Sequence, residues 1–241
     1  MIALISSIPE ESTFLAKGLR KRSVVAGKPL FQGRIQGKDV AYMVSGMGKT
    51  NAAHAATILI ERFAPRMTVL FGVGGAYPSS GLRVGDIAVA EKEVYGDEGV
   101  VTKRGFEDTK FIGIPFLKKG RVAYFNEFPL DNTLAEKARK SLHGIPGPLS
   151  PSSGIVSGTF VTVSSCTGTR KRALELQKKF GAICENMEGA SVAHICTLYG
   201  TPLLEIRGIS NIVEDRDKAA WDIFLAAENC QNAVAKLLRD L

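Results

Sequence analysis

Apolar positions in this chain fall into short runs that alternate with stretches of helical spacing. Ile2 to Ile5, Val40 to Val44, Met67 to Phe71, Gly85 to Ala90, the β-branched stretch Gly154 to Ser164, and the run Leu203, Leu204, Ile206 read as buried strands. Between them, Thr50 to Phe63 (stopped before Pro65), Leu134 to Leu142, the basic amphipathic stretch Thr169 to Phe180, and Gly189 to Tyr199 predict helices. Gly189 to Tyr199 is apolar almost all round, which fits a buried helix ended by Gly200. Phe14, Leu15 and Leu19 follow Pro9, Glu10 and Glu11 at helical spacing. Trp221, Phe224, Leu225, Val234, Leu237, Leu238 and Leu241 trace one face of a long C-terminal helix. Strands and helices alternate throughout, which predicts an α/β fold around a central sheet, one domain over residues 1–241 without repeats or linkers.

Two stretches break the alternation. Residues 143–153 form a Gly/Pro/Ser loop. Residues 96–132 are polar, with scattered Gly and Pro and no helical period, yet carry Phe106, Phe111, Phe116, Tyr124, Phe125 and Phe128. Those aromatics argue against disorder. Long irregular segments inside a compact domain are usually functional, so 96–132 is expected to be an insertion covering a site, its own or a neighbouring subunit's.

Composition narrows the class. Hydrophobic residues make up 45% of the 241 positions and charged residues 23%, the balance of an ordinary globular protein. The net charge of +7 raises nucleic acid or a membrane surface as partners. The charges are spread out, however, and the dense groups, Lys17 to Arg22 and Arg170 to Arg172, lack interleaved aromatics. They read as solvated faces, so neither nucleic acid nor membrane is the expected partner. No run reaches the length of a membrane span, and Met1 to Ile8 is too short for a signal peptide. Cys166, Cys184, Cys196 and Cys230 form no CxxC pair, and three lie in apolar surroundings. Buried thiols in a reducing, cytoplasmic enzyme are expected, with neither metal nor cofactor.

Candidate chemistry gathers where strands end. Glu185, Asn186, Met187 and Glu188 interrupt an apolar run just before the buried helix, and a carboxylate at such a mouth is costly unless something uses it. The alternative is a helix-start acid favoured by the dipole, and the same choice applies to Glu10 and Glu11. Asn211 is expected just past the end of the strand that begins at Leu203, where open α/β sheets bind ligands. Gly46, Met47, Gly48, Lys49 and Thr50 suggest a P-loop, but the first glycine of GxxxxGK[ST] would fall at Met43. The glycines Gly72, Gly74 and Gly75 imply that a neighbouring strand or a ligand approaches the backbone closely. His54 and His194 lie within apolar helices and His143 in a loop, and no GxSxG is present, so histidine-based catalysis is poorly supported. The acidic run Glu214, Asp215 and Asp217 reads as a helix cap rather than a metal site.

Taken together, Ser45 to Ala53, Gly74 and Gly75 with Leu82 to Ile87, Ser157 and Gly158, Asn186 to Ala190, and Arg207 to Asn211 resemble the nucleoside phosphorylase and nucleosidase superfamily, in the family's order and over nearly the whole chain. Within it the chain is similar to the nucleosidases that cleave methylthioadenosine. It is closer still to the futalosine hydrolases of menaquinone biosynthesis, through Tyr124 to Pro129, Thr162 and Val163 with Thr167 to Thr169, and Arg216 with Asp217. The resemblance implies a central mixed β-sheet flanked by helices, a purine nucleoside as the small-molecule ligand, and a homodimer or larger homo-oligomer.

Roles carry over from the family by position. Glu11 matches the acid that activates the attacking water. Met187 and Glu188 match the pair that packs on the ribose and accepts from its hydroxyls. Phe160 or Val161 matches the residue against the purine face. Gly74 lies in the matching Gly-Gly segment and is expected in the binding site, Arg207 matches a basic residue lining it, and Asn211 matches the position that handles the purine's five-membered ring. The methylthioadenosine enzymes carry Asp at the position of Asn211. Asn offers an NH₂ and a C=O together, which suits a 6-oxopurine, hypoxanthine, better than adenine. Gly72 to Ala76 contains none of the arginines that hold phosphate in the phosphorylases, which favours hydrolysis over phosphorolysis. A phosphorylase, a methylthioadenosine nucleosidase and a non-catalytic nucleoside-binding protein remain the alternatives.

Overall fold

The computed structural model describes residues 1–142 and 154–240. The expected loop at 143–153, with His143, and Leu241 lie outside the described residues. In chain order the elements are β1 (Ile2–Ser6), a 3₁₀ turn (Pro9–Ser12), β2 (Arg20–Val25), β3 (Lys28–Ile35), β4 (Lys38–Val44), α1 (Lys49–Phe63), β5 (Thr68–Ala76) and β6 (Ile87–Tyr95). Then come β7 (Gly99–Thr102), β8 (Gly105–Asp108), α2 (Thr109–Ile112), β9 (Leu117–Lys119), β10 (Val122–Tyr124), β11 (Glu127–Pro129) and α3 (Asn132–Leu142). The chain ends with β12 (Ile155–Thr162), α4 (Arg170–Phe180), β13 (Ala182–Asn186), α5 (Gly189–Tyr199), β14 (Leu203–Ile212), a 3₁₀ turn (Lys218–Ala220) and α6 (Ile223–Asp240).

The expected α/β architecture is present. Ten strands form one mixed sheet in which β1 pairs in parallel with both β4 and β5. Strand β14 lies between β5 (parallel) and β6 (antiparallel), and β6, β12, β13 and β5 pair in turn, so five strands close into a ring. Helices α1 and α5 pack their alanines on one side: Ala52, Ala55, Ala56, Ala190 and Ala193 join one core with Ile5, Leu70 and Phe160. Helix α6 covers the other side through Cys230, Val234, Leu237 and Leu238 against Leu4, Phe71 and Ile206. Among the described residues no helix is long and apolar enough to cross a membrane.

Several expectations are corrected. Pro9 to Leu19 is not a helix; one 3₁₀ turn forms, and turns follow it up to Gly18. The hairpin β2–β3 is an addition, since its outer strand RKRSVV is exposed and carries no apolar run. Strand β5 continues through Gly72 to Ala76 instead of stopping before the glycines. Residues 96–132 are not irregular throughout. They hold the hairpins β7–β8 and β9–β10, one turn of helix, and β11 on the edge of β6. On the C-terminal face, Trp221 precedes α6 and Phe224 is 81% exposed, so neither belongs to the buried stripe. Cys184, Cys196 and Cys230 are buried free thiols, as expected, and Cys166 is exposed.

Candidate active site

The site is built where β1, β5, β13 and β14 end together. After β1, Pro9 opens the single 3₁₀ turn that swings Glu11 back under the chain. Its carboxylate accepts hydrogen bonds from the N–H groups of Ser7 (2.7 Å), Ile8 (3.2 Å) and Val73 (2.8 Å). Gly72 makes this possible, because a Cβ there would lie 2.4 Å from a Glu11 oxygen. Three donors and the nearby Arg207 favour the ionised acid, yet burial is the largest influence and the pKa of Glu11 is raised above 4.5. Glu10, by contrast, is exposed.

Glu188 is freed by its neighbour. It occupies the N-cap position of α5 but makes no capping bond. Asn186 Oδ1 takes that role, accepting from the N–H of Glu188 (2.9 Å) and of Gly189 (2.7 Å). The Glu188 carboxylate instead accepts from Gly48 N (2.9 Å) and from Arg207 Nη1 (3.3 Å). The dipole explanation therefore fails for Glu188. The glycine turn Ser45 to Gly48, with Gly46 and Gly48 at positive φ, cradles an anion that belongs to the protein itself.

Beneath these acids lies a buried ionic layer. Arg207 donates through Nε to Glu205 (3.0 Å) and through Nη1 to the Val73 carbonyl (3.2 Å) as well as to Glu188. Burial opposes its charge, but Glu205, Glu188 and Glu11 outweigh burial and hold it protonated. Glu93 accepts from Thr162 Oγ1 (2.7 Å) and Asn186 Nδ2 (2.6 Å). Burial, then the charge of Glu205, raises the pKa of Glu93 well above the usual carboxylate range. Gly189 must lack a side chain here, since a Cβ would sit 1.9 Å from a Glu93 oxygen.

A cavity of about 250 Å³ opens over this layer, just under the ~300–1,000 Å³ usual for small-ligand clefts. Glu11, Met187, Glu188, Asn211 and Gly74 all line it. Asn211 stands within β14, past a bulge after Ile209, rather than beyond the strand as expected. Its Oδ1 accepts from Ser210 Oγ (2.8 Å) and its Nδ2 donates to the Ile212 carbonyl (3.1 Å). Two expectations fail. Phe160 and Val161 are both fully buried in the core and neither lines the cavity, because β12 is an interior strand of the ring. Arg207 lies under the floor and acts through Glu188, instead of lining the site. Among the described residues no cluster of His, Cys, Asp and Glu is arranged to hold a metal ion.

A family model described as the phosphorylase superfamily matches residues 1–241. The chain belongs to that superfamily. Futalosine hydrolase from Thermus thermophilus is 34% identical over 206 residues, covering 86% of this chain and 84% of that one. A 5′-methylthioadenosine/S-adenosylhomocysteine nucleosidase from a Geobacillus strain is 31% identical, covering 100% and 98%. The solved methylthioadenosine/S-adenosylhomocysteine nucleosidase of Neisseria meningitidis, in complex with methylthio-immucillin-A, shares the fold with a TM-score of 0.84 at 24% identity, over 100% of this chain and 99% of that one. Its relatives make this member of the phosphorylase superfamily an enzyme of the nucleosidase kind. The superfamily member also lines its cavity with residues that its sequence did not single out as site residues. Trp221 carries Arg216 over its ring at 4.8 Å. Cys166 Sγ is 3.3 Å from Met187 Sδ, and Thr167 bonds Glu185 through N (2.8 Å) and Oγ1 (2.6 Å). Thr167 and Arg216 fall in the segments that carried the family likeness, which was the available signal.

Proposed function

We propose that this chain hydrolyses the N-glycosidic bond of a 6-oxopurine nucleoside, futalosine or a close analogue, releasing hypoxanthine in a step of menaquinone biosynthesis. The supporting observation is that Asn211 lines the same cavity as Glu11 and Glu188. Glycosidic cleavage develops positive charge on the ribose. Glu188, fixed between Gly48 N–H and Arg207, faces that charge and accepts from the ribose hydroxyls. Glu11 takes a proton from the attacking water as its oxygen bonds to C1′ and the C–N bond breaks, with the electron pair leaving on the purine. Asn211 then turns from its bonds to Ser210 and Ile212: a solvent water protonates N7 of the leaving base, the Asn211 C=O accepts a hydrogen bond from that N–H, and its NH₂ donates to the 6-oxo group.

A second reading is a methylthioadenosine/S-adenosylhomocysteine nucleosidase, favoured by the relatives of that name that match the chain from end to end. Release of hypoxanthine from futalosine and of adenine from methylthioadenosine, each with and without phosphate, separates these. Phosphate-independent hypoxanthine release supports the first reading. Preferential adenine release transfers the assignment to the second, and an absolute need for phosphate makes the chain a phosphorylase. Arg216 is the only cation lining the cavity among the described residues, which favours water as the acceptor.

A further inference from the structure

Two carboxyls of the buried ionic layer take no part in the chemistry above. Glu93 on β6 and Glu205 on β14 are fully buried, and both crowd Gly189: a Cβ there would lie 1.9 Å from Glu93 Oε1 and 2.6 Å from Glu205 Oε1. One guanidinium, Arg207, serves this pair as well as Glu188 and Glu11. The layer is short of positive charge, and such a buried pair of acids retains a proton. Arg207 Nε, 3.0 Å from Glu205 Oε1, places the negative charge on Glu205. Glu93 accepts only from the neutral groups of Thr162 and Asn186, so the proton stays with Glu93. Glu205 Oε2 is buried with no N–H or hydroxyl donor among the described residues, and the neighbour that hydrogen-bonds Glu205 is Glu93.

Both acids lead to Glu188. The bond from Asn186 Nδ2 to Glu93 Oε1 fixes the Asn186 amide with its Oδ1 toward the N–H groups of Glu188 and Gly189. Thr162 Oγ1, which donates to Glu93 Oε2, accepts from Ala190 N (2.7 Å), so the first turn of α5 is tied to Glu93 twice. Glu205 anchors Arg207 Nε while Nη1 reaches Glu188. Arg207 Nη2 is buried and unpaired among the described residues, which leaves the guanidinium a donor that an ionised Glu93 would draw away from Glu188.

We propose that Glu93 is a positioning residue for the reaction: as the protonated partner of Glu205 it orients Asn186 and leaves Arg207 on Glu188. This rests on the nucleosidase reading above, through the role of Glu188 at the ribose, and is independent of which base is released. Loss of the proton sets two adjacent carboxylates against one guanidinium, loosens Glu188 and lowers kcat. The other titratable groups around the pair act differently. Burial lifts Cys184 on β13 and Tyr95 on β6 above their ordinary values and lowers His194, which meets Tyr95 from α5. Glu11 must be ionised to act, so it shapes the acid side of the profile instead.

The test follows kcat and KM against pH for wild type, Glu93→Gln, Glu93→Ala and Glu205→Gln, on futalosine and on methylthioadenosine. Wild type should show a fall on the alkaline side, mainly in kcat. Glu93→Gln, whose amide donates to Glu205 and accepts from Asn186 at every pH, should keep most of the activity and abolish that fall. Glu93→Ala should lose roughly 10–100-fold in kcat at the optimum, the cost of a displaced catalytic group. Glu205→Gln removes the like charge beside Glu93 and should move the fall to lower pH. Infrared difference spectra between wild type and Glu93→Gln should show the C=O stretch of a protonated carboxyl that fades over the same pH range. A wild-type profile without an alkaline fall, a fall unchanged in both Gln variants, or a missing carboxyl band overturns the positioning role and leaves the nucleosidase standing. A wild type that cleaves neither nucleoside overturns both.

Discussion

At Glu11 two opposed influences meet. Three backbone donors and a guanidinium favour the charged form, and burial disfavours it more strongly. A general base must be ionised, so kcat/KM should rise with pH through a midpoint above 4.5, the usual value for Glu. Glu11→Gln should lower kcat by ~10²–10⁴-fold and abolish that limb while Kd for the nucleoside stays within a few-fold. Lost binding with retained turnover would contradict the role. Asn211 answers to a different measurement. Asn211→Asp should cut kcat/KM on a 6-oxopurine nucleoside and raise it on the 6-amino analogue, moving their ratio by roughly ten- to a hundredfold, the cost of a mismatched buried polar pair. An unchanged ratio would remove the argument for hypoxanthine.

Between elements, glycines mark where strand and side chain approach most closely. The run Gly72 to Gly75 announced a close approach in the sequence, and the partners turn out to be Glu11, Cys184 and Val213. Gly72→Ala should therefore displace the Glu11 carboxyl and cost at least ~10-fold in kcat, with a cooperative melt preserved; full activity would show that Glu11 can move without loss. The ionic layer gives a second test. Glu93 holds its proton in the native state to higher pH than in the unfolded chain, so its stabilising contribution is complete below about 4.5 and declines as pH rises through the raised value. Glu93→Gln mimics the protonated acid. Its Tm relative to wild type should climb as the pH rises above about 4.5 toward the raised value, whereas a constant difference would mean that Glu93 is ionised throughout. The apolar runs of β1, β4 and β5 and the all-round apolar α5 were legible in the sequence, because burial on both faces leaves a continuous hydrophobic signature. The exposed strand β2, the Glu93–Glu205–Arg207 contacts and the placement of Trp221 were not. Their partners lie far apart in the chain, and only the closed ring of strands joins them.

For the whole molecule, the insertion at 96–132 was expected to cover a site, yet no residue of it lines the cavity of its own chain. It instead presents Val101, Phe111 and Ile114 at 82%, 65% and 70% exposure. Met47, which lines the cavity, is 62% exposed. Exposed apolar groups at both places fit a contact between copies, with the insertion of one copy laid over the cavity mouth of the other. On this reading the protein is a homodimer or larger, and the double substitution Phe111→Glu with Ile114→Glu should yield monomers in sedimentation. Those monomers should keep the wild-type thermal transition to within a few degrees, because neither side chain joins the core, but should show a raised KM because the cavity mouth lies open. A wild-type chain that sediments as a monomer with full activity would exclude the arrangement. A dissociated variant with unchanged KM would show that the insertion assembles copies without touching the site.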